Sequence, residues 1–309
     1  MKIYVAGHRG LVGSAIVRQI DKEKKHTWIG KTRSELDLLD RAAVFDFLSI
    51  EKPDAVVIAA AKVGGIHANN TYPVEFLSEN LQLETNLLDG SHHSGINRVL
   101  FLGSSCVYPK FSQQPIKEEY LLTGELEKTN EAYALAKISG LKLVQAYRSQ
   151  YGHRWISAMP TNMFGPGDNF DLENAHVLPS LIRKIHEAKI RNDDQVTLWG
   201  TGAPKREFLH SDDLASACLF LLENYDDEVP INIGVGRDIE IRELADLIME
   251  IVGFKGRIVW DDSKPDGTPR KLLDISRISA LGWRPTVSLE EGITSTYEWY
   301  LGQSTTLTK

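Results

Sequence analysis

Apolar residues in the first half of the chain alternate between short continuous runs and longer segments with apolar positions three and four residues apart. The first run, residues 2–7, predicts a buried strand, and the spacing from Leu11 to Ile20 predicts a helix. Further runs that predict strands occur at residues 26–30, 54–61, 98–102 and 155–159. Helical periodicity lies between them, at residues 41–51, 73–91 and 131–150.

Continuous runs of Val, Ile and Ala are typical of parallel strands that helices cover on both faces. Because right-handed crossovers join such strands, we predict a doubly wound parallel α/β sheet of Rossmann type. After Pro160 the pattern changes, and we expect residues 164–309 to form mainly a smaller C-terminal substrate lobe. Residues 1–163 would then bind a dinucleotide, with residues 210–236 partly returning to them. Later elements are expected near residues 177–188, 231–236 and 289–300.

Composition and charge narrow the classes of function. Of 309 residues, 35 are Lys or Arg and 42 are Asp or Glu, which gives a formal net charge of −7. A chain without excess cations is poorly suited to a nucleic-acid backbone, so we predict no nucleic-acid partner. No uninterrupted apolar run reaches the ~18 residues of a membrane span. The two cysteines, Cys106 and Cys218, suit a reducing compartment, and we expect a cytoplasmic protein with no membrane partner.

Three glycines follow the first predicted strand directly. Glycine permits a tight turn and close approach of a phosphate, and the helix that follows offers free N–H groups at its start. The spacing is GxxGxxG rather than the GxGxxG typical of dehydrogenases. The alternative is a plain glycine-rich turn, but the context favours a dinucleotide site. Its predicted residues are Gly7, His8, Arg9, Gly10, Leu11, Val12 and Gly13.

The residues after the second predicted strand indicate which nicotinamide cofactor binds. An NAD site usually places an acid there for the adenosine 2′-hydroxyl, whereas a cation accommodates a 2′-phosphate. Here Lys31 and Arg33 come first, and no acid occurs before Glu35. Arg9 in the glycine turn offers a further positive group. We therefore predict NADP, with Arg33 as a phosphate contact, against the alternative that these cations merely solvate a loop.

Tyr133 and Lys137 are four residues apart and therefore share one face of a predicted helix. A nearby ammonium favours a phenolate, so we expect Lys137 to lower the pKa of the Tyr133 phenol. Such a tyrosine can donate a proton to a carbonyl oxygen while a hydride reaches the carbon. The YxxxK pattern is common on amphipathic helices, but it gains weight behind a glycine turn.

Ser104 and Cys106 follow the apolar strand at residues 98–102. If the chain stays extended, alternation places both side chains on the same side, where Ser104 can hydrogen-bond the oxygen that Tyr133 protonates. Cys106 would face the same substrate as a candidate base, which requires a thiolate. The alternative for a free cysteine is a small buried apolar residue, and Cys218 fits that alternative well.

Together these residues resemble the extended short-chain dehydrogenase/reductase family. Three longer stretches, at residues 102–110, 159–166 and 199–210, resemble the branch of that family that acts on GDP-linked 4-keto-6-deoxy sugars. The resemblance extends from residue 1 to about residue 300. It implies conversion of GDP-4-keto-6-deoxy-D-mannose to GDP-L-fucose, by epimerisation at C3 and C5 and then reduction at C4 with NADPH.

The resemblance also implies roles for single residues. Cys106 would remove the C3 and C5 protons and His176 would return protons on the opposite face, while Ser104 and Tyr133 hold the C4 oxygen. Lys137 would bind the nicotinamide ribose. Residues expected along the nicotinamide are Pro160, Thr161, Asn162, Met163 and His176. Residues expected to contact the sugar nucleotide are Lys184, Trp199, Arg206 and Asp266. A homodimer through the helices at residues 73–91 and 131–150 is the expected assembly.

Other functions stay open at this point. Dehydratases of this fold typically carry an Asp-Glu pair after the Ser or Thr, whereas this chain has Ser105 and Cys106 there; 4-epimerases would leave Cys106 idle. A regulator that binds NADP without catalysis is a further alternative, although it predicts loss of the Ser, Tyr or Lys. A metal-dependent hydrolase is disfavoured, because the histidines lack ligand spacing with carboxylates. We therefore predict no metal, and we interpret His92-His93 as a solvated helix end.

Overall fold

The computed structural model describes residues 1–264 and 266–304, except for the side chains of Ile66 and Ser304. Part of the predicted substrate lobe, Pro265 and residues 305–309, therefore lies outside the described residues. The helices are α1 Leu11–Glu23, α2 Arg41–Glu51, α3 Ile66–Thr71, α4 Pro73–His93, α5 Glu131–Tyr151, α6 Val177–Arg191, α7 Ser211–Asn224, α8 Ile241–Val252, α9 Ser276–Ala280 and α10 Leu289–Ser304.

The strands are β1 Lys2–Ala6, β2 Thr27–Ile29, β3 Ala55–Ile58, β4 Val99–Leu102, β5 Ile156–Pro160, β6 Asn162–Phe164, β7 Gln195–Trp199, β8 Lys205–Arg206, β9 Phe208–His210, β10 Ile231–Ile233, β11 Ile239–Glu240, β12 Arg257–Asp261 and β13 Arg270–Lys271. Six of them form one parallel sheet in the order β10-β5-β4-β3-β1-β2. The predicted doubly wound sheet is therefore confirmed.

Apolar side chains fill both faces of this sheet, as the continuous Val, Ile and Ala runs predict. One buried layer joins the strands to α1 and α7, and the other joins them to α2, α4 and α5. A third apolar cluster, between α6, α8, α10 and β7, is the core of the C-terminal part. None of the helices within the described residues is long and apolar enough to cross a membrane.

Two late elements pack with the first half of the chain. Strand β10 pairs with β5 through Ile231 and Ala158, and α7 packs against α1. The chain therefore leaves the central sheet after β5, forms β6 to β9, and then returns to complete the sheet edge. Because the strands are parallel, their carboxyl ends share one edge, which is the edge where ligands bind in folds of this kind.

Candidate active site

The glycine turn after β1 is shaped to receive an anion. Gly7 has φ +85°, a left-handed conformation that favours glycine, and a Cβ at Gly13 would overlap the carbonyl oxygen of Gly7. Gly10 precedes α1 without any side-chain cap, so the first N–H groups of the helix remain available. A phosphate suits such a helix start. The turn thus fits the diphosphate of a dinucleotide. His8 and Arg9 lie within the turn, and Leu11, Val12 and Gly13 lie in the first turn of α1.

The loop after β2 carries several cations and one acid, Glu35, whose carboxylate already accepts hydrogen bonds from within the loop. Glu35 accepts hydrogen bonds from the hydroxyl of Thr32 at 2.6 Å and from its N–H at 2.8 Å. These bonds, with weaker contributions from cations such as Arg9, lower the pKa of the Glu35 carboxyl. The Arg33 side chain is 75% exposed and lies 3.8 Å from Asp37. An exposed guanidinium beside an occupied acid is compatible with a 2′-phosphate contact.

The segment after β4 is not extended as expected. Residues 105–107 form one turn of 3₁₀ helix, and Ser104 caps it: its Oγ accepts a hydrogen bond from the N–H of Cys106 at 3.2 Å. A serine at such a position satisfies a backbone N–H that would otherwise lack a partner. The expected alternation was therefore wrong. The turn nevertheless keeps Ser104 and Cys106 next to each other.

Tyr133 lies in the first turn of α5, and its side chain shares a hydrogen bond with that of Ser104. The expected effect of Lys137 on the phenol was wrong. Burial raises the pKa of Tyr133, and the negative charges of Cys106 and Glu84 raise it further. The phenol therefore stays protonated at neutral pH.

Lys137 directs its ammonium at Glu84 of α4, which explains why the phenol does not become more acidic. The Nζ–Oε1 distance is 3.0 Å, and both side chains are only 2% exposed. The ammonium also lies 4.8 Å from the centre of the Phe101 ring. A Cβ at Gly140 would overlap that ring and lie 2.8 Å from Oε2 of Glu84, so only glycine leaves room for the pair. Burial raises the pKa of the Glu84 carboxyl and the charge of Lys137 opposes this.

Sequence reasoning missed Glu84. A signal was present, because Glu84 lies between Leu83 and Leu87 on a helix and shares their buried face. A carboxylate on an apolar face needs a partner, since an isolated buried charge is very costly. The partner is not visible from the local pattern, however, because Lys137 belongs to another helix.

Cations from the C-terminal part of the chain surround Cys106. Lys271 Nζ lies 3.7 Å from Cys106 Sγ, and the negative charge of Cys106 acts on Arg206 as well. Cys218 is different, because it is fully buried in α7 and burial raises its pKa. The interpretation of Cys218 as an apolar core residue is thus confirmed. Sequence reasoning missed Lys271.

His176 directly precedes α6, at the helix start that the sequence suggested. The loop before it is held by a hydrogen bond of 2.9 Å from the N–H of Gly65 to the carbonyl of Asn174. The His176 side chain is solvent-exposed. The surrounding protein nevertheless lowers its pKa, and the positive charge of Lys271 lowers that pKa further. Lys271 therefore acts on both predicted acid–base residues, Cys106 and His176.

The four expected sugar-nucleotide contacts belong to α6, β7, β8 and the segment between β12 and β13. Trp199 is 62% exposed and therefore does not belong to the core, and the ammonium of Lys184 is 4.8 Å from the centre of its ring. Asp266 accepts hydrogen bonds from the N–H and hydroxyl of Thr201, at 2.7 and 2.8 Å. Burial lowers the pKa of Arg206, and Cys106 and Asp266 oppose this with their negative charges. Arg206 thus links the outer contacts to Cys106.

The segment from Pro160 to Met163 is anchored by Glu207. The side chains of Thr161 and Asn162 donate to the Glu207 carbonyl, at 3.3 and 2.7 Å. Its fully buried carboxylate accepts the N–H groups of Val235 and Gly236, each at 2.7 Å, and that of Leu273 at 3.0 Å. A single side chain therefore ties together β9, the segment after β10 and the segment after β13. Sequence reasoning missed this role, although Glu207 lies within the stretch at residues 199–210 that carries the family resemblance.

The interpretation of His92-His93 as a solvated helix end was wrong for His92. Its Nδ1 lies 2.8 Å from Nε2 of His153, and its ring packs against Tyr147 and Tyr151. His93 is exposed and packs on Phe45. Within residues 1–264 and 266–304, no group of three or more His, Cys, Asp or Glu side chains is arranged to hold a metal ion.

Comparison with known proteins agrees with this geometry. Residues 3–234 match the model of the NAD dependent epimerase/dehydratase family. GDP-L-fucose synthase 1 of Arabidopsis thaliana is 58% identical over 300 residues, which cover 97% of this chain and 93% of that protein. The chain therefore belongs to the NAD dependent epimerase/dehydratase family.

Solved structures give the same result at the level of the whole chain. The NADP-bound GDP-L-fucose synthetase of Naegleria fowleri has a TM-score of 0.91 at 31% identity, covering 99% of this chain and 95% of that one. A GDP-6-OMe-4-keto-L-xylo-heptose reductase of Campylobacter jejuni has a TM-score of 0.93 at 36% identity, covering 98% of each. Among the sequence relatives, the GDP-L-fucose synthase of Escherichia coli is 52% identical over 309 residues, which cover 97% of this chain and 96% of that protein.

Proposed function

We propose that this chain converts GDP-4-keto-6-deoxy-D-mannose to GDP-L-fucose, epimerising C3 and C5 and then reducing C4 with NADPH. The observation that carries the proposal is the meeting of a hydrogen-bonded hydroxyl pair, Ser104 and Tyr133, with the thiol of Cys106. The similarity to GDP-L-fucose synthases over nearly the whole chain supports this substrate.

Epimerisation begins at carbons that flank the C4 ketone, whose protons are acidic for that reason. The Cys106 thiolate takes a proton, and the electrons of the C–H bond move towards the C4 oxygen to form an enolate. Ser104 and Tyr133 stabilise the negative oxygen by hydrogen bonds. His176 returns a proton to the opposite face of the carbon, which inverts its configuration.

Reduction uses the same oxygen contacts. The glycine turn from Gly7 to Gly13 would hold NADPH, which would supply the hydride for C4. Tyr133 donates its proton to the C4 oxygen, a role suited to a phenol whose pKa burial has raised. Lys137 contacts the nicotinamide ribose, Arg33 contacts the adenosine 2′-phosphate, and Pro160 to Met163 line the nicotinamide.

The substrate contacts follow from exposure and charge. Arg206 binds the diphosphate as a planar fork and Lys184 binds it as a point charge. Trp199 presents an exposed ring to the nucleotide, and Asp266 orders the neighbouring loop through Thr201.

The division into lobes, the assembly and the compartment are part of the same proposal. Residues 1–163 with part of residues 210–236 hold NADP, and residues 164–309 mainly hold the sugar nucleotide. A homodimer forms through α4 and α5, which pack along each other and carry exposed apolar side chains such as Val74 and Leu135. The enzyme works in the cytoplasm, where nucleotide sugars and NADPH are present and thiols stay reduced.

The test is the product formed from GDP-4-keto-6-deoxy-D-mannose and NADPH in heavy water, analysed by mass spectrometry and NMR. We expect GDP-L-fucose with deuterium at C3 and C5. Reduction without epimerisation is the second candidate, because two structural neighbours are named reductases; a reduced sugar without deuterium would favour it. Cys106→Ser should block deuterium entry more than hydride transfer, and deuterium entry at the normal rate in that variant would refute the role of Cys106.

A further inference from the structure

Two short strands bring a pair of cations to Cys106. Strands β8 and β13 run parallel, and Lys271 is the register partner of Arg206. Register partners on neighbouring strands project from the same face of a sheet. Both residues accordingly interact with the same thiol. Lys271 Nζ lies 3.7 Å from Cys106 Sγ, and the electrostatic interaction with Cys106 raises the pKa of Arg206 against the effect of burial.

The backbone around Lys271 is fixed on both sides, so this contact is built into the fold. The N–H of Leu272 donates to the side-chain oxygen of Gln114 at 2.8 Å, and the N–H of Leu273 donates to Glu207 at 3.0 Å. The carbonyl of Leu272 accepts the N–H of Ile116 at 2.7 Å. Leu272 and Leu273 are themselves buried. Lys271 is therefore presented by an anchored strand rather than by a free loop.

Within the part of the chain that the structure describes, the ammonium of Lys271 forms no ion pair with a carboxylate. Among the residues that the structure describes, no Asp or Glu oxygen lies within 4.0 Å of its ammonium, whereas Lys205 on the neighbouring strand pairs with Glu240 at 3.4 Å. The charged or titratable groups that interact with Cys106 are Lys271, Arg206 and the phenol of Tyr133. The cavity beside Cys106 is also lined by Lys110, Glu127 and Arg270, and these three are already in ion pairs: Lys110 with Glu127, and Arg270 with Asp238. A thiolate at Cys106 would thus have two cations beside it, and the ammonium of Lys271 has a resolved contact with the sulfur.

We propose that Lys271 is a positioning residue for the epimerisation, which holds Cys106 in its thiolate form so that the sulfur can accept a proton from the sugar. This inference rests on the proposed function. In the step, the C–H bond breaks, an S–H bond forms, and the C–H electron pair becomes the enolate. Lys271 neither gains nor loses a proton, and its charge offsets that of the sulfur before transfer. The same charge disfavours the imidazolium of His176, so the proton that His176 carries is readily given to the enolate.

The inference can be tested without the sugar or the cofactor, by the rate at which iodoacetamide alkylates the protein. Only thiolates react, and the reagent is uncharged, so the rate reports the thiolate fraction. The chain has two cysteines and Cys218 is fully buried, so the reactive site is Cys106, which Cys106→Ser verifies. We expect Lys271→Met to slow alkylation at pH 7 about tenfold and to raise the pH of half-maximal rate by about one.

Matched variants separate charge from structure. Lys271→Arg should restore most of the rate because it keeps the positive charge. Lys271→Gln is a second neutral variant, for use if Lys271→Met folds poorly, and it should slow alkylation to the same extent. Lys205→Met removes a lysine from the same small sheet and should leave the rate unchanged. Wild-type alkylation across pH 6–9 in Lys271→Met would overturn the proposal.

A second measurement keeps the two proposals distinguishable. Deuterium entry at C3 and C5 of the keto-sugar should fall in Lys271→Met by a similar factor at pH 7 and recover at higher pH, where the thiol ionises without help. If the wild-type protein shows no deuterium entry at all, the proposed function fails, while the alkylation rates still decide whether Lys271 controls Cys106. Loss of deuterium entry that no pH restores would indicate a structural role and would also overturn the proposal.

Discussion

Two lysines border the proposed reaction centre, and their surroundings are opposite. Lys137, from α5 in the first part of the chain, is buried and paired with the carboxylate of Glu84 at 3.0 Å. Lys271, from the C-terminal part, is half-buried and faces the thiol of Cys106 at 3.7 Å. Each has the same ammonium group, but a carboxylate balances the charge of Lys137, whereas the charge of Lys271 faces the thiol that we propose as the base.

The difference shows why a residue type in a motif does not define its electrostatic effect. A lysine lowers a neighbour's pKa only when its charge is not already compensated and when burial does not dominate. Near Tyr133 both conditions fail, and the phenol remains an acid. Near Cys106 the ammonium of Lys271 lies 3.7 Å from the sulfur and, within the described residues, has no carboxylate partner. The surroundings of the two lysines thus distinguish the proposed acid of the reduction, Tyr133, from the proposed base of the epimerisation, Cys106.

The largest expected effect comes from removing the acid on the Lys137 side. Tyr133→Phe should lower NADPH oxidation with the keto-sugar by about 10²–10⁴-fold, the usual contribution of a positioned acid. The alkylation rate of Cys106, which reports the Lys271 side, should change little. Turnover near the wild-type rate would remove Tyr133 from the acid role, and far-ultraviolet circular dichroism of the variant serves as the folding control.

The next test compares the two lysines directly through stability. Lys137→Met leaves the Glu84 carboxylate buried without its partner and should cost about 3–5 kcal/mol of unfolding free energy. Lys271→Met breaks no carboxylate pair and should cost about 1 kcal/mol or less. Urea denaturation at pH 7 measures both values. Equal losses would contradict the contrast between the two sites, and Lys137→Met combined with Glu84→Met should recover most of the first loss.

A smaller effect is expected on His176, whose pKa is lowered by the surrounding protein and by the charge of Lys271. Removing that charge in Lys271→Met favours the imidazolium, so the pKa of His176 should rise. Below this pKa the ring is protonated and can donate, so proton return to the sugar should persist to higher pH in the variant. NMR titration of the His176 ring proton, assigned with His176→Asn, measures the change. An unchanged pKa would show that Lys271 does not act on His176.

The smallest effect is expected at a third cation, which belongs to neither pair. Arg33→Ala should weaken NADPH binding about tenfold, the scale of one hydrogen bond to a charged group, and leave NADH binding nearly unchanged. Fluorescence titration with both cofactors measures the two affinities. Equal losses would mean that the 2′-phosphate is recognised elsewhere, and Lys205→Met provides a control on general charge.

Much of the fold could be predicted because it rests on local patterns. The predicted helix at residues 41–51 has the bounds of α2, and the predicted strand at residues 98–102 differs from β4 by one residue. The glycine turn was also predictable, because its chemistry is contained in seven consecutive residues. Short strands such as β8 and β13, of two residues each, carry too little periodicity to be recognised.

The site was predictable only where a motif carries it. Ser104, Tyr133 and Lys137 fall in recognisable contexts, and the structure brings them together. Lys271 has no such context, since it meets Cys106 across 165 residues of sequence. The direction of the Tyr133 pKa was wrong for the same reason, because burial and the competing carboxylate of Glu84 are properties of the packed chain.

The edge strand β10 binds the late part of the chain into the sheet that begins at residue 2. A polypeptide that stopped at residue 163 would leave β5 as an unpaired edge strand, which favours aggregation. It would also lack α7, which packs against α1. Exchange of the sugar-recognising part between relatives therefore requires two splice points, placed on either side of residues 211–233. A chimaera with a single junction after β5 would separate the sheet from its own last strand.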